Sequence, residues 1–213
     1  EDPKDPPKPV DPTDDDPKAM KRQMVEAKLA DDHIGTIAAT TLWGPDGKPI
    51  SAQDFIARMF GELPDLFINE DDLRAQWSDP DTRKVLLERL AERSYDEATL
   101  AIVRDALSAK ASDMFDVLAH VAYANTMRTR EHRAETGRRR VEGAYDPKMA
   151  EFLAYVLDSY VEDGETNLDR SKMIDFAKLK YGTAKECAAM LGGMDAVVDA
   201  FVGFQRHLYS PSN

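Results

Sequence analysis

Cysteine is nearly absent from this chain: Cys187 is the only one among 213 residues. A lone cysteine cannot close an intrachain disulfide, and with no export signal in view a reducing cytoplasm is the expected setting. Cys187 lies in AKECAAML, with no His or Arg pair beside it to lower its pKa. That favours a packed thiol over a reactive one. Long apolar runs are missing too. No stretch reaches the roughly 18 apolar residues of a transmembrane helix, so no membrane partner is expected. No basic start followed by an apolar core suggests a signal peptide. Positive charge is scarce: 28 Lys and Arg stand against 40 Asp and Glu, a net charge of −12. Such a balance argues against a surface dedicated to coating DNA, because phosphate affinity comes from neutralising positive charge.

Catalytic motifs are also lacking. A phosphate loop needs glycines whose neighbouring amides cradle phosphate and a lysine that reaches the terminal group. Gly44-Pro45-Asp46-Gly47-Lys48 has the wrong spacing, and its proline removes one of the amides. A nuclease of the usual kind needs paired acids holding a metal on adjacent strands, with a Lys beside them. A D-x-K triplet follows the Pro-Asp pairs at Asp146-Pro147-Lys148, at a helix start, and the same triplet recurs at Asp2 and Asp16. Helix-start chemistry explains it. The histidines His33, His120, His132 and His207 share no metal-ligand spacing. We therefore expect no catalytic, cofactor-binding or metal-binding residue in this chain.

What is present is mostly helical pattern. Residues 1–18, EDPKDPPKPVDPTDDDPK, are acidic and hold half of the 12 prolines. They read as a linker, because they lack the apolar residues of a core. A chain opening on a linker is expected to continue something longer. Residues 19–61 read as a short helix (about Ala19–Leu29), a small hairpin and a capped helix. The hairpin would pair Ile34–Trp43 with Lys48–Ile50 across Pro45-Asp46-Gly47. Ser51 with Asp54 three residues on resembles a capping box.

Residues 62–213 read as helices only. Asp79 with Pro80 opens one to about Arg93, with an apolar stripe of Val85, Leu86 and Leu90. Asp96–Ala109 repeats the pattern. Ser112–Ala124 is apolar on most sides, as a central buried helix should be. It also places Asp113, Asp116 and His120 on one face. This trio is either a proton-transfer or metal cluster, or a polar stripe bonded to neighbouring helices or to solvent; the second is favoured. Thr129 caps an arginine-rich helix to about Val141. Asp146-Pro147 opens the next, ending at Gly164. Leu168–Leu179, Thr183–Leu191 and Met194–Leu208 follow, with Gly192-Gly193 as a break. The fold class is all-α with a small N-terminal β-hairpin. Trp77 is expected in the core, and Trp43 either as a core lid or as a partner anchor.

One surface signal stands out: Arg128, Arg130, Arg133, Arg138, Arg139 and Arg140 against Glu131 and Glu135. Arg130, Arg133 and Arg140 share a face, while Arg138 and Arg139 point outward. Arginine forks suit phosphate or carboxylate. The plainer alternative is a solvated helix with weak internal ion pairs.

The segment Ser112–Glu135, SDMFDVLAHVAYANTMRTREHRAE, resembles the C-terminal domain of type I restriction enzyme R (motor) subunits of the EcoEI-like branch. TTLWGPDGKPISAQDF, LRAQWSDPDTRKVLLERL, FLAYVLDSYVEDG, LKYGTAKECAAMLG and FVGFQRHLY match in the same order, so the resemblance spans roughly Asp11 to Tyr209. It implies a parent enzyme that translocates and cleaves DNA using ATP and Mg. It also implies partners: a methyltransferase core of modification and specificity subunits, with DNA met through the assembly. In that family the helical C-terminal domain joins the motor to the core, while the ATPase and nuclease residues lie elsewhere. Two other readings stay open. The arginine helix could touch DNA phosphates directly, or the chain could be a free-standing helical adaptor unrelated to DNA.

Overall fold

The computed structural model describes residues 42–43 and 48–211. The acidic linker, the helix near Ala19–Leu29, the strand residues before Leu42, the hairpin turn and the Trp43 side chain all lie outside the described residues. Within them, a two-stranded antiparallel ribbon pairs β1 (Leu42–Trp43) with β2 (Pro49–Ile50), Leu42 opposite Ile50. Ten α-helices follow. They are α1 (Ala52–Glu62), α2 (Glu70–Trp77), α3 (Pro80–Glu92), α4 (Glu97–Ala106), α5 (Met114–Tyr123), α6 (Arg130–Ala144), α7 (Pro147–Asp163), α8 (Met173–Tyr181), α9 (Ala184–Leu191) and α10 (Met194–Tyr209). The protein is all-α with a small N-terminal strand pair.

Side-chain caps start most of these helices. The hydroxyl of Ser51 accepts from the Asp54 amide at 3.0 Å and donates to the Asp54 carboxylate at 2.6 Å. Asp79, Asp96, Thr129 and Thr183 do the same work at their helices, each accepting one of the first free amides. Each such cap stabilises a helix by about 1 kcal/mol. Asp146 accepts from Lys148 and Met149, so the D-x-K triplet is a helix start. At the other end, Gly192 (φ 86°) and Gly193 (φ 112°) adopt conformations that side chains resist, and α10 leaves α9 at 81°.

The core is built around α5. Every residue from Met114 to Ala122 is buried. Trp77 and Leu73 from α2 are fully buried against the same core. Helix α6 lies along α7 and α10. It packs close to α10 at Gly137, where an added Cβ would stand 3.1 Å from Leu208 Cδ1. Among the described residues no single helix is long and apolar enough to cross a membrane.

Two sequence expectations need correction. Val85 is 54% exposed and is not part of the buried stripe of α3. Arg83 takes that place at 1% exposure, on the face of Leu86 and Leu90. Its guanidinium reaches Gln205 Oε1 (2.9 Å), Asp169 (3.1 Å) and the Trp77 carbonyl (3.3 Å). The second concerns Leu168–Leu179, expected as one helix. Instead there are two 3-10 turns, Glu165–Leu168 and Arg170–Lys172, before α8 begins at Met173. Asp169 is extended between them (ψ 141°), where its carboxylate meets Arg83.

Candidate functional site

The acids on α5 enter two buried polar groups, one with two tyrosines and one with Arg133 of α6. Asp113 is the N-cap of α5 and fully buried. Its Oδ1 accepts from the Phe115 amide at 2.8 Å. Its Oδ2 accepts from the hydroxyls of Tyr160 on α7 and Tyr209 at the end of α10, both at 2.7 Å. Burial, and then the negative charge of Asp113, push both tyrosines well above the usual phenol range, so they stay neutral donors.

One turn along α5, Asp116 holds Arg133 with both oxygens, at 2.6 Å to Nε and 2.7 Å to Nη2. Arg133 also donates to the Leu208 carbonyl at 3.3 Å and lies over the rings of Phe115 and Tyr209, 4.8 and 5.1 Å from their centroids. Burial pushes the Asp116 carboxyl up, and the hydrogen bonds and charge of Arg133 pull against it. For Arg133 burial works against the charge, but Asp116 more than offsets it and holds the guanidinium charged. His120, the third member of the stripe, is also buried; its Nδ1 meets the Asn125 carbonyl at 2.7 Å, and its Nε2 has no partner among the described residues. The three side chains share a face but bond separately. Among the described residues no group of His, Cys, Asp or Glu is arranged to hold a metal.

The six arginines divide in place and partner. Arg130 donates to the carbonyls of Lys110, Ser112 and Val161, tying α6 to the start of α5 and the end of α7. Arg140 donates to the carbonyls of His207, Ser210 and Pro211, fastening the segment beyond α10. Arg138 pairs with Asp158 on α7. Arg139 pairs with Glu135 on its own helix at 2.8 Å, both well exposed. Arg128 is half-buried, and among the described residues its guanidinium has no hydrogen bond or ion pair. It lines a cavity of about 290 Å³ together with Arg74, Arg133, Asp116, Asn125 and Tyr209.

A second cavity, about 520 Å³, opens between α3, α4 and the turn after α7. Arg104 and Glu165 stand in it, 3.9 Å apart, with Arg104 Nε and Glu165 Oε2 buried and, among the described residues, without a hydrogen-bond partner. Burial, aided by the charge of Asp113, pushes the Glu165 carboxyl up to about 7. The sequence gives no sign of this pair, because its members lie on different elements. Arg83 with Gln205 was readable only in part, from the spacing of Arg83, Leu86 and Leu90. Cys187 is fully buried, and burial pushes its thiol up.

The described residues form an all-α domain whose central acids are bonded internally. The family model described as EcoEI R protein C-terminal matches residues 53–209. The chain belongs to this family, the C-terminal domain of type I restriction enzyme R proteins. No curated protein and no solved structure matches it.

Proposed function

We propose that this chain joins the motor of a type I restriction R subunit to the methyltransferase core of modification and specificity subunits, in the cytoplasm, and performs no chemistry itself. The observation that carries this reading is the closure of the inner charges on one another. Asp113 is taken by two tyrosines and Asp116 by Arg133, so neither acid is free to hold a metal or move a proton. In this reading ATP and Mg belong to the parent enzyme. Family membership supports the choice of partner class.

Direct DNA contact through the arginine helix is less well supported. Arg130, Arg133 and Arg140 donate to internal carbonyls or to Asp116, leaving few charges to track a phosphate backbone. The discriminating experiment is a titration of the chain with the purified core, with and without duplex DNA, at several salt concentrations. Binding to the core in the absence of DNA is expected. Binding to DNA alone with a steep salt slope would favour the other reading. ATP- and magnesium-dependent cleavage of plasmid by the chain would overturn the non-catalytic claim.

A further inference from the structure

We propose that the cavity between α3, α4 and the turn after α7 binds a neutral carboxamide carried on an apolar body. The site is separate from the docking reading above and does not depend on it. Leu87 and Ala91 of α3, Leu100 and Ala101 of α4, Tyr95 and Met114 give it apolar walls. Its volume, about 520 Å³, falls in the range of small-ligand pockets.

Two polar atoms define what an occupant must bring. Arg104 Nε and Glu165 Oε2 are buried and have no hydrogen-bond partner among the described residues. Both side chains line the cavity, and their charged ends stand 3.9 Å apart, too far for a hydrogen bond. The one hydrogen bond to the Glu165 carboxylate comes from its own backbone amide. A guanidinium only donates and an ionised carboxylate only accepts. Leaving a buried donor and a buried acceptor unpaired is costly, so the complementary group carries an acceptor and a donor side by side.

Charge and wall narrow the choice further. Glu88, Glu97, Asp163, Glu165 and Asp169 stand around the cavity against Lys84 and Arg104. Adding Arg83, which pairs with Asp169 from outside the wall, still leaves two negative charges in excess. The charges of Arg130 and Asp113, which also act on Glu165, cancel. An anion is therefore repelled. A cation brings donors only, leaves the Arg104 Nε–H unmet and faces its charge. A carboxamide is neutral, and its C=O and N–H are separate atoms for two separate side chains. A lone water at the pair would have no polar partner toward Leu87, Leu100 and Met114, where a carbon body packs instead.

The test uses the whole chain with isotope-labelled methionine methyls, at about pH 8. Glu165, pushed up to about 7 by burial, is then mostly ionised. The Met114 methyl signal, assigned with Met114→Leu, is followed by NMR. Benzamide, benzoate and benzamidine are titrated separately. They share size and shape, but present donor and acceptor, acceptor only, and donor only. A saturable benzamide response at Met114 is expected, at least about tenfold tighter than either charged analogue, as for loss of a charge-assisted hydrogen bond. Arg104→Met and Glu165→Met should each weaken benzamide by a similar factor. Equal or tighter binding of a charged analogue, or no saturable response to any of the three, overturns the site. So does an unchanged benzamide affinity in both variants. The wild-type series decides even if a variant does not fold.

A second titration separates the sources of the amide. The methyltransferase core is added to the chain saturated with benzamide. Displacement supports the site and assigns its carboxamide to an Asn or Gln side chain of the partner. Binding of the core with benzamide retained supports it as a site for a free small amide. If the core does not bind at all, the docking reading fails, and the benzamide series still decides this one.

Discussion

Arg133 and Asp116, 17 residues apart in sequence, meet as a buried bidentate pair, with Nε to Oδ2 at 2.6 Å and Nη2 to Oδ1 at 2.7 Å. The pair fixes α6 against α5 and turns the most basic stretch of the chain partly inward. An arginine that reads as surface charge is here part of the core.

Arg133→Ala should therefore destabilise the protein by about 3–5 kcal/mol, because it strands the buried Asp116 charge. Arg139→Ala, on an exposed i,i+4 pair, should change stability by no more than about 0.5 kcal/mol. Urea midpoints decide this. A double replacement of Arg133 by Met and Asp116 by Leu should recover much of the loss, since buried pairs are often replaceable by packed apolar groups. Equal, small effects of Arg133→Ala and Arg139→Ala would show that the buried pair contributes nothing special.

The second expectation concerns the two tyrosines on Asp113. Tyr160→Phe and Tyr209→Phe each remove one hydroxyl donor to the same carboxylate oxygen. Each should cost roughly 1.5–3 kcal/mol, the range for hydrogen bonds to charged groups. The double variant should depart from additivity, because the partners share one acceptor. Additive losses within about 0.5 kcal/mol would mean that the hydroxyls act independently.

Helix starts were legible in the sequence because capping is local. Ser51, Asp79, Asp96, Thr129, Asp146 and Thr183 each sit within three residues of the amide they accept. The burial of α5 was legible as well, since its apolar residues surround the helix. What was not legible depends on tertiary partners. Arg83 becomes a core residue only because Gln205, 122 positions later, faces it. Val85 was misplaced for the same reason. The helix expected from Leu168 is broken at Asp169 by a contact with Arg83, 86 positions away, which no local pattern announces. The arginine cluster was visible as composition. Its division into inward and outward members required the positions of α5, α7 and α10.

Glu165 should give the protein a measurable pH dependence. Its folded carboxyl is pushed up to about 7 from an ordinary value of 4.5. Between those values the folded state keeps a proton that the unfolded state has released. Its contribution to stability is therefore full below about pH 4.5 and is lost as pH rises through about 7, by at most about 3 kcal/mol. Glu165→Gln should remove that slope and be more stable than wild type at pH 8. Unfolding curves from pH 5 to 8 with the same slope in both proteins would show that Glu165 ionises freely.

Val117→Ala and Leu118→Ala test whether α5 is the centre of the core. Both side chains are fully buried. Losses of about 2–4 kcal/mol are expected, toward the lower end for Val117. Unchanged urea midpoints in both variants would make this helix peripheral.

The most direct test of the central claim is competition for the methyltransferase core. The purified chain is added to a fixed amount of core, and binding of the intact R subunit is followed as the chain is increased. The docking account predicts that the chain displaces the intact subunit in a saturable way and leaves methylation by the core intact. Failure of a folded chain to displace any R subunit, at concentrations well above that of the subunit, would contradict it.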